Sequence, residues 1–418
     1  MRSKTATASI IASAYAPRTK ALADPGVPIP NDILSGLPQE ERGGNTAVVI
    51  AQVRSDHYTY VDSPAIVVPP PTMNNILEPI PLANAQLPLF AGVDVGGTNI
   101  KFGIVDDLGR TLGRSSVPTH VERGPDDAIR RMGEGLQSLY KQIGIAADAI
   151  AAVGLGSPGM MDIPHGMLLD PPNLPGWRQF PIRDRLASVT GKTVSFANDA
   201  NAASYGEYWV GGGRDYHSIV LLTLGTGVGG GIIIGDLSID GENSHGSECG
   251  HIIIDYHDDA RLCPCGHRGH LEAYASATAV VHRAEEALHA STRASTVRQR
   301  LSDGEELTTL LLAREAEAGD SFALDLIMDT AMYLGVGVVS LMHTIDPGAV
   351  ILGGAMNFGG HETALGRRFL DRVRQEVKAR AFPTLVERTV VDFAHLGGHA
   401  GYIGAAGIAR MNFHKKQA

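Results

Sequence analysis

Residues 91–106 read AGVDVGGTNIKFGIVD. An apolar run, Gly92-Val93-Asp94-Val95, stops at Gly96-Gly97-Thr98-Asn99 and resumes from Ile100 to Val105. This is the pattern of strand, tight turn, strand. Gly96 and Gly97 have no Cβ, so the backbone can turn sharply and bring its N–H groups close to an anion. Asp94 stands inside an otherwise apolar strand, just before the turn. A carboxylate there is costly unless it binds a metal or accepts from a donor. The plain alternative is a hairpin that happens to carry an aspartate.

The same theme returns at residues 218–234. A strand over 219–223 meets Gly225-Thr226-Gly227-Val228-Gly229-Gly230-Gly231, followed by Ile232-Ile233-Ile234. Gly225, Gly227 and Gly230 satisfy G-x-G-x-x-G, but a dinucleotide fingerprint must open a helix. The triple-Ile run is strand-like, which rules that reading out. Two hairpins with phosphate-cradling turns point to two related halves closing on one nucleotide. A third close-approach turn, Gly353-Gly354-Ala355, follows an apolar strand over 350–352.

Between these turns the pattern alternates. Residues 126–143 place Ile129, Met132, Leu136, Leu139 and Tyr140 on one helical face. A buried strand over 150–156 leads into Ser157-Pro158-Gly159. Residues 170–177, DPPNLPGW, form a rigid loop carrying Asn173. A strand over 193–197 ends at Asn198-Asp199-Ala200-Asn201, which opens a small-residue helix toward Trp209. Helical patterns cover 275–290, 304–318, 320–345 and 361–380, with a short strand over 390–393. A last helix over 398–410 is rich in Gly and Ala, which permits close packing.

Composition narrows the class. With 418 residues and 44% hydrophobic side chains the chain can build two sizeable cores. A net charge of −10 disfavours nonspecific nucleic-acid binding and gives no support to attachment at a membrane surface. No run of about 18 apolar residues stands out as a transmembrane segment. Residues 1–88 differ from the rest: they hold most of the prolines and show little periodicity beyond possible short strands at 48–53 and 65–68. They read as a mostly disordered extension, or as the product of an upstream start. A faint likeness to a targeting segment at residues 1–15 is diluted by Ser and Thr.

All three cysteines, Cys249, Cys263 and Cys265, fall in one short region. That is no disulfide framework; it reads as a metal site in a reducing compartment. Within 251–272, His251, Cys263, Cys265 and His270 can supply two imidazoles and two thiolates, a tetrahedral zinc set. A closed four-ligand site is structural rather than catalytic. The alternative is a glycine-rich loop with reduced, unmetallated thiols.

Taken together, these stretches resemble the ROK family of sugar kinases, and most closely its bacterial glucokinases. The matching segments are Asp94-Val95-Gly96-Gly97-Thr98, Asn198-Asp199-Ala200-Asn201, 224–231, Glu248-Cys249-Gly250-His251, CPCGHRGHLE at 263–272 and Ile351-Leu352-Gly353-Gly354. They run in family order over roughly 89–412. The resemblance implies an α/β, actin/hexokinase-like (ribonuclease H-like) fold of two domains with a cleft between them. It implies a small domain over 89–200 completed by the helix at 398–412, and a large domain over 201–397 with the zinc loop. It also implies ATP with Mg2+ on the glycine turns, structural Zn2+, a hexose deep in the cleft, and a homodimer or tetramer in the cytoplasm with no nucleic-acid or membrane partner. By position, Asp199 matches the family's catalytic base, and Asn198, Glu248, His251 and Glu272 match its sugar ligands, His251 also matching a zinc ligand. The family usually has Cys where this chain has His270. His is an ordinary zinc ligand, so a Cys2His2 set remains.

The chemistry of the residues runs the same way. Phosphoryl transfer needs positioning and charge stabilisation more than covalent work. Asp199, at a strand end and helix start, can accept the proton of a primary hydroxyl; the alternative is an N-cap aspartate. Asp94 would hold magnesium directly or through water. Gly96, Gly97, Thr98, Thr226 and Gly227 would meet phosphates, and Gly353 and Gly354 would let the backbone approach the nucleoside. Glu248 and Glu272 are acceptors suited to a polyol, or else solvated carboxylates. Asn173 lines the sugar pocket or stabilises its own turn. Glucose is the expected acceptor, ahead of fructose, mannose or an N-acetylated amino sugar. A sugar-responsive repressor is the distant alternative, since residues 1–88 show no pair of amphipathic helices and no basic recognition helix.

Overall fold

The computed structural model describes residues 77–417. The strands expected at 48–53 and 65–68 lie outside the described residues. The chain enters strand β1 (Leu89–Val95), turns into β2 (Asn99–Val105) and continues to β3 (Thr111–Pro118). Helix α1 (Gly124–Ile143) crosses to β4 (Ile150–Ser157). A short hairpin of β5 (Met160–Asp162) and β6 (Met167–Asp170) and helix α2 (Ile182–Thr190) lead to β7 (Val194–Asn198) and helix α3 (Asp199–Val210). The sheet order is β3-β2-β1-β4-β7, with β1, β2 and β3 antiparallel and β1, β4 and β7 parallel.

The second half repeats the plan. Strands β8 (Ser218–Leu224), β9 (Val228–Ile234) and β10 (Leu237–Ser238) are antiparallel. Helices α4 (Glu272–Ala275), α5 (Ala277–Ala290), α6 (Thr296–Ser302), α7 (Thr309–Glu317) and α8 (Ser321–Ile345) precede β11 (Ala349–Gly353). Helices α9 (Ala364–Arg380) and α10 (Pro383–Arg388) precede β12 (Val390–Phe393), and α11 (Ala400–Lys415) ends the chain. The order β10-β9-β8-β11-β12 matches the first sheet strand for strand, with β8, β11 and β12 parallel.

Each sheet buries both faces, as central strands flanked by helices require. In the first sheet, Val93, Val95, Phe102 and Ile104 pack with Ile129, Met132, Leu136 and Leu139 of α1. The opposite face carries Phe90, Val105 and Ala152 against Tyr402, Ile403 and Ala406 of α11. In the second sheet, Val220, Leu222 and Leu224 pack with α5, α8 and α9. Its other face, Ile219, Leu221 and Ile351, meets Ala202 and Tyr205 of α3 and Ala405 and Ile408 of α11. Helix α11 therefore touches both sheets, and α3 and α11 form the layer between them. They approach so closely that a Cβ at Gly404 would fall 1.6 Å from the carbonyl oxygen of Ala202.

Several expectations are corrected. Strand β3, the β5–β6 hairpin and helices α2, α6 and α10 form although their residues carry no strong periodic signal. The helix expected over 304–318 begins only at Thr309, because Thr308 caps it by accepting from the Leu311 N–H at 3.1 Å. The helix expected over 275–290 is broken at Ser276, whose hydroxyl caps α5. Helix α9 starts at Ala364 rather than 361, capped by Thr363. Helix α8 is long and apolar enough by length and composition to cross a membrane. Its apolar residues, Phe322, Leu326, Leu334 and Val338 among them, are spent in the core of the second half.

Candidate active site

Parallel strands β1, β4 and β7 end side by side, at Val95, Ser157 and Asn198, with Asp94 one residue before the end of β1. Such carboxyl ends of parallel strands are where open α/β sheets receive ligands. Asn198 caps α3: its side-chain oxygen accepts from the N–H groups of Ala200 at 2.9 Å and Asn201 at 3.3 Å. Asp199 is thus the first residue of the helix rather than its cap. It keeps one local bond, accepting from its neighbour Ala200 N–H at 2.8 Å. Burial raises the Asp199 carboxyl to about 6, helped by the nearby Asp94 charge and, less, by Glu248. Asp94 is itself raised by burial, partly offset by Lys101.

The glycine turn after β1 is closed by Gly96 N–H on the Asn99 carbonyl at 2.9 Å, and Thr119 Oγ1 donates to the Gly96 carbonyl at 2.6 Å. Gly97, Thr98 and Asn99 remain exposed. Loop 171–176 lies on this turn, since a Cβ on Gly97 would be 3.2 Å from the Asn173 carbonyl oxygen. Trp177, fully buried, anchors that loop and leaves Asn173 exposed.

The turn after β8 sits on the start of α5. Ala277 N–H donates to the Gly225 carbonyl at 2.9 Å, and Thr278 Oγ1 donates to the Thr226 carbonyl at 2.9 Å. Glu272 holds the same turn from another side: Val228 N–H donates to its Oε2 at 2.8 Å. The third turn packs on the second, with Gly354 at φ +92° and too close to Leu224 for any Cβ. Of the three glycine turns predicted as phosphate and nucleoside supports, the second and third are in contact, and the first belongs to the other sheet.

Glu248 follows the second hairpin on a loop and is half exposed, its Oε2 4.0 Å from His251 Nε2. His251 turns its other nitrogen inward. Its Nδ1 lies 3.3 Å from His270 Nδ1 and 3.8 Å from Cys263 Sγ, and His270 Nδ1 lies 3.2 Å from Cys265 Sγ. All four donor atoms fall within 4.8 Å of one another. Tetrahedral zinc with Zn–N near 2.0 Å and Zn–S near 2.3 Å needs donor separations of about 3.3–3.8 Å; the three pairs at 3.2–3.8 Å match this, and the wider ones would draw in around an ion. Without a metal, burial pushes the Cys263 thiol up to about 12, and burial with His251 and His267 nearby lowers His270. Neutral imidazoles suit a metal, and a bound cation would deprotonate the thiols.

Two residues at the site were not anticipated. Lys101 pairs directly across the hairpin from Asp94 and donates from Nζ to the Gly398 carbonyl at 3.0 Å. Its signal was present: a lone cation in an apolar strand, three residues after Thr98. Ser157 is fully buried at the end of β4, and its hydroxyl has no protein partner; nothing in the sequence distinguishes it from a turn serine.

Residues 90–412 match the family model described as ROK family. A glucokinase of Thermotoga maritima is 36% identical over 322 residues, covering 76% of this chain and 96% of that protein. Among solved structures, a ROK hexokinase from Thermus thermophilus aligns with a TM-score of 0.66 at 32% identity, covering 78% of this chain and 99% of that one. A ROK family glucokinase from Streptomyces griseus, solved in complex with glucose and AMPPNP, aligns with a TM-score of 0.62 at 33% identity, covering 77% and 99%. On the family match and on two sheets built to one repeated plan, this chain belongs to the ROK family and has its actin/hexokinase-like fold.

Proposed function

We propose that the protein is an ATP-dependent sugar kinase that phosphorylates glucose at its 6-hydroxyl, with Asp199 as general base. The observation that carries this is the state of Asp199: it stands at the first position of α3, is not used as the cap, and has its carboxyl pushed up to about 6. A base poised near the working pH accepts a hydroxyl proton best. The sugar oxygen then forms its bond to the γ-phosphorus. The bond from that phosphorus to the bridging oxygen breaks, its electron pair leaves with ADP, and the proton passes to Asp199.

Gly96, Gly97, Thr98, Thr226 and Gly227 would face the phosphates, and Gly353 and Gly354 the nucleoside. The exposure of the first turn and the helix start beneath the second support this. Asp94, desolvated and beside Asp199, is suited to hold magnesium, which supplies charge neutralisation at the phosphates. Asn173, the Asn198 amide, Glu248, His251 Nε2 and Glu272 would bind sugar hydroxyls. In this reading His251 serves two partners, Nδ1 toward the metal set and Nε2 toward the sugar. Zinc held by His251, Cys263, Cys265 and His270 would fix the loop that carries that imidazole. The two halves, 89–200 with the last helix and 201–397, would close on the substrates.

The test is an ADP-release assay with magnesium and ATP over a hexose panel, comparing wild type with Asp199→Asn. Glucose turnover falling by about 10²–10⁴-fold in the variant is expected for a lost general base. Turnover confined to another hexose would move the specificity, and equal turnover in the variant would remove Asp199 from the mechanism.

A further inference from the structure

Residues 239–247, between β10 and Glu248, have no role in the reading above. Two non-glycine residues there adopt left-handed backbone: Ser244 at φ 59° and Ser247 at φ 65°. A Cβ is unfavourable in that region, so both conformations must be imposed by their surroundings. The serine hydroxyls add their own bonds to the loop's backbone ones, among which Cys249 N–H donates to the Ser247 carbonyl at 2.7 Å. Ser247 Oγ accepts from Ile232 N–H at 3.2 Å and donates to the Ile239 carbonyl at 2.9 Å. Ser244 Oγ accepts from Ile163 N–H at 3.0 Å.

The same loop is tied to the helix of Asp199. Gly246 N–H donates to the Asp240 carbonyl at 2.7 Å. Asp240 Oδ1 accepts from Asn201 Nδ2 at 2.8 Å and from Ser238 Oγ at 2.9 Å. Asn201 lies on α3, two residues beyond Asp199. Glu248, by contrast, has its Oε2 4.0 Å from His251 Nε2, beyond hydrogen-bonding distance. It follows directly on Ser247, and it lies near enough to Asp199 for its charge to act there.

We propose that Ser247 is a positioning residue for the acceptor sugar: its doubly bonded hydroxyl holds a left-handed backbone that aims Glu248 into the cleft. The proposal rests on the kinase reading, in which Glu248 binds the sugar. Glycine would reach the same backbone angle without strain but would not hold it there. The hydroxyl, not the conformational freedom, is the property this position uses.

The experiment titrates glucose at saturating MgATP, and ATP at saturating glucose, with wild type, Ser247→Gly and Ser247→Ala, and records thermal melting of each. Both variants should raise the glucose KM by about tenfold, the scale of a sub-ångström misplacement. The ATP KM and kcat should stay within about twofold. Ser247→Gly, free of backbone strain, should show the KM effect without the larger melting loss of Ser247→Ala. Unchanged glucose KM in both variants, with the wild type active, would overturn the role of Ser247 alone. A wild type that neither turns over nor binds any hexose by calorimetry would overturn the kinase reading, and this proposal with it.

Discussion

The Nδ1 atoms of His251 and His270 lie 3.3 Å apart, and that spacing commits one side of the His251 ring. The other side, Nε2, faces Glu248. On the proposed roles of these residues, metal loading would be linked to the sugar end of the cleft. Purified protein should release zinc to a chromogenic chelator under denaturation. Stripping it should lower the melting temperature and raise the glucose KM more than the ATP KM. His270→Cys should keep the metal, because a thiolate is an ordinary zinc ligand, whereas Cys263→Ser should lose it. Protein that carries no metal and melts alike with and without chelator would remove the metal from the account.

The pH dependence follows from Asp199. A base must be ionised to act, so a carboxyl raised to about 6 moves the acid limb of kcat/KM from the ordinary carboxylate range to near pH 6. Stability moves the opposite way. A carboxyl whose folded pKa is raised costs stability above that pKa and costs nothing below its unfolded value. Asp199→Asn should therefore be more stable than wild type at pH 8, by ~3 kcal/mol for a carboxyl raised from 3.8 to about 6, with the gap closing as pH falls through 6 toward 4. Denaturant melts at both pH values check the sign.

Glu272 connects the second glycine turn to the metal loop. Its Oε2 accepts from Val228 N–H, and its Oε1 is 3.8 Å from Cys263 Sγ. Glu272→Ala leaves that N–H without a partner, a loss of about 1–3 kcal/mol. Both the ATP and the glucose KM should rise. Glu272→Gln retains an acceptor and should recover the ATP KM but not the glucose KM. An ATP KM unmoved in the alanine variant would show that the turn needs no such support.

Gly404 is the tightest contact between α3 and α11, with no room for a Cβ beside the Ala202 carbonyl. Gly404→Ala must push the two helices apart and should cost at least ~3 kcal/mol in urea melts. Gly304 is the control: at φ +90° with open space around it, Gly304→Ala should cost only the backbone penalty of about 1–2 kcal/mol. Similar losses at both positions would contradict the close-packed layer.

Much of this was legible in the order of residues, for reasons that are local. A strand ending in Gly96-Gly97, or in Leu224-Gly225, writes its turn into neighbouring positions, so the repeated hairpins could be read before their sheets were known. The Cys263-Pro264-Cys265 spacing with His270 close by announced a donor set. Helix α1 announced itself through its apolar period. Segments without a strong period, such as β3 and α2, were silent because they take their conformation from the sheet edge and the core they pack on.

What the sequence by itself determined was the set of chemical parts: two glycine hairpins, a strand-end Asn198-Asp199 pair and four side chains of a kind that can ligate a metal. Which nitrogen of His251 meets His270, the use of Asn198 rather than Asp199 as the cap, and the burial that raises Asp199 beside Asp94 were decided by the folded structure. The cap is a local choice of side-chain direction, whereas the other two depend on distances between residues far apart in the chain and on the exclusion of water. Both exist only once the two sheets have closed around α3 and α11.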